Sequence, residues 1–161
     1  QTWTPVLDNK FIHSDFFSAV EKNAFKSVPL MFGYTSDEFN FQTPDGKTVN
    51  PIKQANIMYQ QFMEKHDIKD KNYFYHFDVD IPGWDNPGKF HSVDLWFWFE
   101  TLAKCWRPFT GKHYDIARKM CNYLCNFIKT GDPNGKDCDD SQMPFWENFD
   151  SSKVNDMKFS V

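Results

Sequence analysis

The sequence predicts an α/β fold in which helices connect parallel strands. Residues 28–33 (VPLMFG) are apolar at odd and even positions and end in glycine, as expected for a strand covered on both faces. Residues 73–79 (YFYHFDV) are rich in aromatic side chains and alternate like a second strand. Segments with helical periodicity lie between and after these two runs. This order of elements is typical of a sheet with parallel strands. Two strands cannot form a stable sheet, so we expect the sheet to be incomplete in this chain.

Capping and turn residues predict where the helices begin and end. Ser14 is the expected cap of a first helix that runs to about residue 25. A turn at residues 43–46 (TPDG) precedes Asn50, which we expect to cap a second helix that begins at Pro51.

Two further helices are predicted in the second half of the chain. They span about residues 93–106 and 113–129, and Gly131 ends the second of them. The tail from residue 132 is acidic and rich in turn residues. Its expected anchors are Phe145, Trp146 and Phe149.

Composition excludes several classes of partner. The 161 residues suffice for one domain, and their net charge of −4 includes no concentrated basic face for nucleic acid. No segment approaches the roughly 20 apolar residues that span a bilayer, so no membrane span is expected. The histidines and cysteines lack the spacing of metal ligands, and we expect neither a metal nor a cofactor.

The four cysteines are expected to be reduced core residues. Cys121 and Cys125 lie one helical turn apart, a spacing that does not favour a disulfide. None of the 12 asparagines stands in a glycosylation acceptor motif. These features slightly favour a cytoplasmic location.

An acidic pair and a histidine follow the two predicted strands. Asp37 and Glu38 come shortly after the first strand, and His91 lies in the loop after the second. Functional groups gather at the carboxyl ends of parallel strands, where a carboxylate can orient an imidazole as a general base. Taken singly, Glu38 also fits a solvated loop acid and His91 a surface or helix-capping histidine.

Five segments together resemble one enzyme family, in the family's order. Residues 28–38 resemble the strand and acid turn of type B carboxylesterases, the cholinesterase-like branch of α/β-hydrolases, and residues 91–99 (HSVDLWFWF) resemble their catalytic-histidine stretch. Residues 126–134 are similar to their helix that ends in Thr-Gly-Asp-Pro-Asn. Residues 146–149 and 3–8 resemble the family's closing and lead-in motifs.

This resemblance implies a Ser-His-Glu triad acting on carboxylic esters, as part of an α/β-hydrolase fold. Glu38 would be the triad acid and His91 the general base. Asp37 would form the turn, and Asp94, in the first turn of its helix, would suit the helix dipole and order the histidine loop.

The chain also departs from the family pattern. Phe39 and Glu100 stand where the family has glycine, Ser92 replaces glycine or a small apolar residue, and Glu147 replaces a proline. Only 53 residues separate the acid from the histidine, which implies trimmed substrate pockets.

The sequence lacks a nucleophile motif. α/β-Hydrolases place their serine before the acid and the histidine, and no Gly-x-Ser-x-Gly occurs in these 161 residues. We therefore expect residues 1–161 to be the C-terminal portion of a single domain, without internal boundary and inactive alone. Its expected partner is the missing N-terminal portion with the serine, or a second copy bound through the uncovered sheet.

Two alternatives remain open at this point. The chain could be a non-catalytic esterase-like fragment or interaction module. More weakly, its tryptophans could bind carbohydrate, although the aromatic run at residues 96–99 favours core packing and pocket lining.

Overall fold

The computed structural model describes residues 5–161, so Trp3 and Thr4 of the lead-in motif lie outside the described residues. The helices are α1 (Phe16–Glu21), α2 (Pro51–Lys65), α3 (Leu95–Trp98) and α4 (Gly111–Thr130), with a 3₁₀ turn at Leu102–Lys104. The strands are β1 (Leu30–Thr35), β2 (Phe41–Gln42), β3 (Thr48–Val49), β4 (Asn72–Phe77) and β5 (Met157–Phe159). No helix within the described residues is long and apolar enough to cross a membrane.

A parallel sheet of order β1-β4-β5 confirms the predicted α/β arrangement. Gly33 pairs with Tyr75 between β1 and β4, and Tyr75 pairs with Met157 between β4 and β5. Within the described residues, β1 pairs with β4 alone, so its other edge carries no strand. β2 and β3 form a separate antiparallel hairpin around the predicted turn.

Helices cover both faces of the sheet. On one face, Tyr73 and Phe77 of β4 join a core with residues of α3 and α4, including Phe97 and Met120. On the other face, Phe74 packs in a second cluster with residues of α2. Both faces of the central strand β4 are therefore buried, which explains its nearly continuous apolar character.

Two helices match their sequence signals closely. Asn50 caps α2, since its Oδ1 accepts a hydrogen bond from the Lys53 amide at 3.0 Å. Gly131 ends α4 in the left-handed conformation (φ 75°), which glycine adopts without steric cost, and its N–H donates to the Phe127 carbonyl at 2.7 Å.

Other predicted boundaries are wrong. Asp15, not Ser14, caps α1, because its carboxylate accepts from the Ser18 amide, and α1 ends at Glu21. The helix expected over residues 93–106 is only the four-residue α3. Glu100 adopts a left-handed φ of 49°, and the Thr101 amide bonds back to the Trp96 carbonyl, which stops the helix.

The tail packs against the rest of the chain through two of its three predicted anchors. Trp146 and Phe149 are buried as predicted, whereas Phe145 is 72% exposed. Residues 157–159 add the third strand, β5, which the sequence pattern missed. Three residues are too few to show a period.

The cysteines and the aromatic run divide between core and surface. All four cysteines are free, but Cys125 and Cys138 are exposed, so their assignment to the core was wrong. In the run at residues 96–99, Phe97 and Trp98 are buried and Phe99 is exposed.

Replacing Glu100 with glycine is expected to stabilise the fold. A non-glycine residue in the left-handed region costs about 1–2 kcal/mol, and glycine avoids this cost but loses more backbone entropy on folding. We expect Glu100→Gly to raise the free energy of unfolding by roughly 0.5–1 kcal/mol in urea denaturation. Glu100→Ala is the matched control, because it removes the same side chain but keeps the strain. Equal stabilities of the two variants would contradict this explanation.

Candidate active site

The acid turn and the histidine loop meet at the carboxyl end of the sheet. β1 ends at Thr35, three residues before Glu38, and the adjacent strand β4 ends at Phe77, ahead of the loop that carries His91. The parallel register of the two strands brings both segments to one edge.

Glu38 is a buried carboxylate with both oxygens hydrogen-bonded. Its side chain is 6% exposed. Oε1 accepts from the Thr35 amide at 2.8 Å, and Oε2 lies 2.7 Å from His91 Nδ1. A buried carboxylate is stable only with such partners, so the turn and the histidine hold its position.

His91 presents its second ring nitrogen to the outside. Because an ionised carboxylate only accepts hydrogen bonds, the contact with Glu38 assigns a proton to Nδ1. The His91 side chain is 60% exposed, and Nε2 has no hydrogen-bond partner among residues 5–161. The ring of Phe39 lies against the imidazole, with centroids 4.7 Å apart. A neutral His91 can therefore accept a proton at Nε2 while Glu38 stabilises the imidazolium.

Asp37 connects the acid turn to the histidine loop through two hydrogen bonds. Its Oδ2 accepts from the Lys89 amide at 2.7 Å, and its own amide donates to the Lys89 carbonyl at 3.1 Å. This pair of bonds lies two residues before His91. Asp37 thus does more than form the turn that the sequence predicts.

Asp94 supports the site through hydrogen bonds to Tyr75 and Trp98 and not through a capping hydrogen bond. It directly precedes α3, and its side chain makes no capping hydrogen bond. Oδ2 instead accepts from the Tyr75 hydroxyl at 2.8 Å and from Trp98 Nε1 at 3.2 Å. Burial, together with the negative charge of Asp94, raises the pKa of Tyr75. The carboxylate therefore ties the start of α3 to β4.

A cleft of about 240 Å³ opens beside the acid–histidine pair. Thr35, Glu38, Tyr75, His91 and Leu95 contribute to its lining. A side chain at Gly33 would place Cβ 2.4 Å from the Tyr75 ring, so glycine is required there. The cleft can hold a reacting group next to His91.

Sequence reasoning missed the groups that fix the acid turn. Thr35 supplies the amide that binds Glu38. Asn50, identified only as a helix cap, also donates through Nδ2 to the carbonyls of Thr35 and Glu38, at 3.1 and 3.2 Å. In the sequence, Asn50 is marked only by its position at a predicted helix start. That position does not indicate its hydrogen bonds to the acid turn.

Removing the Asp37 side chain should loosen the histidine loop. A typical intramolecular hydrogen bond contributes about 1 kcal/mol, so we expect Asp37→Ala to accelerate exchange of the Lys89 amide by roughly fivefold. Hydrogen exchange followed by NMR would measure this change. Asp37→Asn keeps a side-chain oxygen and should retain most of the protection. Unchanged exchange in Asp37→Ala would show that the bond does not hold the loop.

Several solved esterases share this architecture at low sequence identity. The carboxylesterase from Geobacillus stearothermophilus matches with 19% identity and a TM-score of 0.62, over 99% of this chain and 42% of its own. A PNB esterase matches with 18% identity and a TM-score of 0.65, over 92% and 38%. An esterase from anaerobic Clostridium hathewayi that can hydrolyze aliphatic aromatic polyesters matches with 18% identity and a TM-score of 0.56, over 68% and 21%. The chain thus spans between about a fifth and two fifths of the length of these esterases.

The family assignment rests on sequence as well as fold. No curated protein sequence matches the chain significantly. The profile of the carboxylesterase family, however, matches residues 47–160, well over half of the chain. The matches to the solved esterases extend over 92% and 99% of this chain and agree with the assignment at the level of the fold. This chain belongs to the carboxylesterase family.

Proposed function

We propose that this chain supplies the acid and the histidine of a Ser-His-Glu triad that hydrolyses carboxylic esters. The observation that supports the proposal is the 2.7 Å contact between buried Glu38 and His91 Nδ1, with Nε2 left unpartnered by residues 5–161. Family membership supports ester hydrolysis as the reaction class. Residues 1–161 would form the C-terminal part of one α/β-hydrolase domain.

The serine would come from a segment outside these 161 residues. His91 Nε2 would take the proton of that serine as its oxygen attacks the ester carbonyl, and Glu38 would stabilise the imidazolium. His91 would then give the proton to the leaving alcohol. In the second half-reaction the same nitrogen would activate water against the acyl-enzyme.

Replacing His91 tests this assignment in the complete esterase. We expect His91→Gln to lower kcat/KM for an ester substrate by about three orders of magnitude, because the base is lost while the fold is kept. His66→Gln is a matched control. Its Nε2 hydrogen-bonds to the Glu21 carbonyl at 3.1 Å, remote in sequence from the triad, and turnover should be unchanged. Near-normal turnover by His91→Gln would contradict the triad and favour the alternative, a non-catalytic module.

The open edge of β1 is the proposed contact with the rest of the domain or with a second copy. Leu30 and Phe32 line an apolar hollow of about 330 Å³ on one side of the strand. Met31 lines another of about 290 Å³ on the opposite side. A strand edge that no strand of residues 5–161 pairs with, and that lies between two apolar hollows, favours addition of a further strand.

This edge predicts that the 161-residue chain self-associates when no other segment is supplied. Size-exclusion chromatography with light scattering should show a mass that rises with protein concentration. Replacing Met31 with lysine, which places a charge at the edge strand, should shift the chain towards monomer. A stable monomer at high concentration would refute the contact.

We also propose a reducing compartment, such as the cytoplasm. The four cysteines are free, and two of them are exposed thiols. Such thiols persist most readily where disulfides are kept reduced.

A further inference from the structure

Two cysteines form a pair on one face of α4, away from the lining of the cleft beside His91. Cys121 and Cys125 lie four residues apart in this helix, so their side chains project from the same face, one turn apart. Cys121 is partly buried, Cys125 is exposed, and both are free thiols. The side chains of Cys125 and Glu100 lie within hydrogen-bonding reach of the Cys121 thiol. The two thiols are therefore neighbours that a small molecule can reach from solvent.

The spacing of this pair is wider than a disulfide allows. Side chains one helical turn apart have Cβ atoms about 5–6 Å from each other. A disulfide needs Cβ atoms only about 3.5–4.5 Å apart. A single atom bonded to both sulfurs adds one bond length to the span and removes this mismatch without unwinding the helix. The pair therefore favours a bridging atom over a direct bond between its sulfurs.

The presence of only two sulfur ligands limits what the bridging atom can be. Structural zinc sites use four protein ligands. Within residues 5–161, no group of three or more His, Cys, Asp or Glu side chains is placed to hold a metal ion. Thiolates prefer soft partners, and trivalent arsenic that already carries one carbon substituent completes its bonding with two sulfurs. The number and the softness of the ligands therefore both fit a monosubstituted trivalent arsenical.

Cys121 is poorly suited to react alone. Burial, the neighbouring Cys125 thiol and the Glu100 carboxylate raise the pKa of Cys121 above its ordinary value, so this thiol is neutral at pH 7. Alkylation requires the thiolate and is therefore slow at Cys121. An arsenical oxide instead takes up the thiol protons as water. Once one sulfur is bound, the other reacts within the same complex, at a high effective concentration.

We propose that Cys121 and Cys125 form a binding site for monosubstituted trivalent arsenicals. The oxide condenses with both thiols. Two arsenic–sulfur bonds form, the arsenic–oxygen bond and both S–H bonds break, and the oxygen leaves with the two thiol protons as water. Arsenic stays trivalent, so the step needs neither an oxidant nor a reductant. The product is a ring closed across one turn of α4.

The other two cysteines lack this arrangement and serve as internal controls. Cys105 follows the 3₁₀ turn, and Cys138 lies in the tail, where Arg118 Nη1 donates to its Sγ at 3.7 Å. Neither stands one helical turn from another cysteine. A thiol without such a neighbour holds an arsenical through one sulfur, and an excess of a monothiol displaces it.

Phenylarsine oxide, added to the 161-residue chain in excess glutathione, tests the proposal. Native mass spectrometry should show one adduct per chain, with the mass of the oxide less one water. Cys121 and Cys125 lie together in the tryptic peptide of residues 120–129, so peptide mapping should find the adduct there. An adduct on Cys105 or Cys138, or a chain that retains no arsenical against glutathione, would overturn the proposal.

Single substitutions separate binding by the pair from binding by one thiol. Cys121→Ser and Cys125→Ser should each weaken the binding of phenylarsine oxide at least about a hundredfold, because the second sulfur no longer acts within the complex. Cys105→Ser and Cys138→Ser are matched controls and should bind as the unaltered chain does. Undiminished binding by Cys121→Ser or Cys125→Ser, with a native circular dichroism spectrum, would contradict the site. If a variant does not fold, the peptide map of the unaltered chain still decides the question.

Discussion

The buried Glu38 carboxylate constrains the rest of the site. A charge removed from water is tolerated only when its hydrogen-bonding capacity is met by groups of fixed position. Here the Thr35 amide and the His91 ring meet it, at 2.8 and 2.7 Å. The acid turn, the end of β1 and the histidine loop must therefore keep their positions together. Asn50 and Asp37 add the backbone contacts that hold the turn to α2 and the loop to the turn.

The alternation of side chains along β1 separates the cleft beside His91 from a second hollow, of about 380 Å³, that Tyr34, Ser36 and His76 help to line. Gly33 leaves room on one face for Tyr75, whose hydroxyl is bound by buried Asp94. The other face presents Tyr34 and Ser36 to His76. A shift of the register by one residue would exchange these faces and remove both clusters. The exact pairing of β1 with β4 therefore matters as much to function as the identity of the polar residues.

The sequence allowed prediction of the features that repeat over several turns or match a long motif. α4 was predictable because its apolar stripe, from Ile116 to Phe127, spans about three turns and Gly131 marks its end. Glu38 and His91 were identified by motif resemblance, since neither residue is distinctive alone. β5 was missed because three residues show no period. α3 was predicted too long because helical periodicity does not indicate the left-handed conformation at Glu100.

Three departures from the family's glycines share one backbone property. Phe39, Ser92 and Glu100 all have positive φ, at 53°, 70° and 49°. The backbone thus retains a glycine-like conformation at each position, although each side chain makes that conformation more costly. At Phe39 a favourable contact offsets this strain, because the ring lies against His91, with centroids 4.7 Å apart, and restricts the imidazole. Glu100 is exposed and does not line the cleft beside His91. The strain at Phe39 is therefore coupled to the geometry of the acid–base pair, whereas the strain at Glu100 lies outside that cleft.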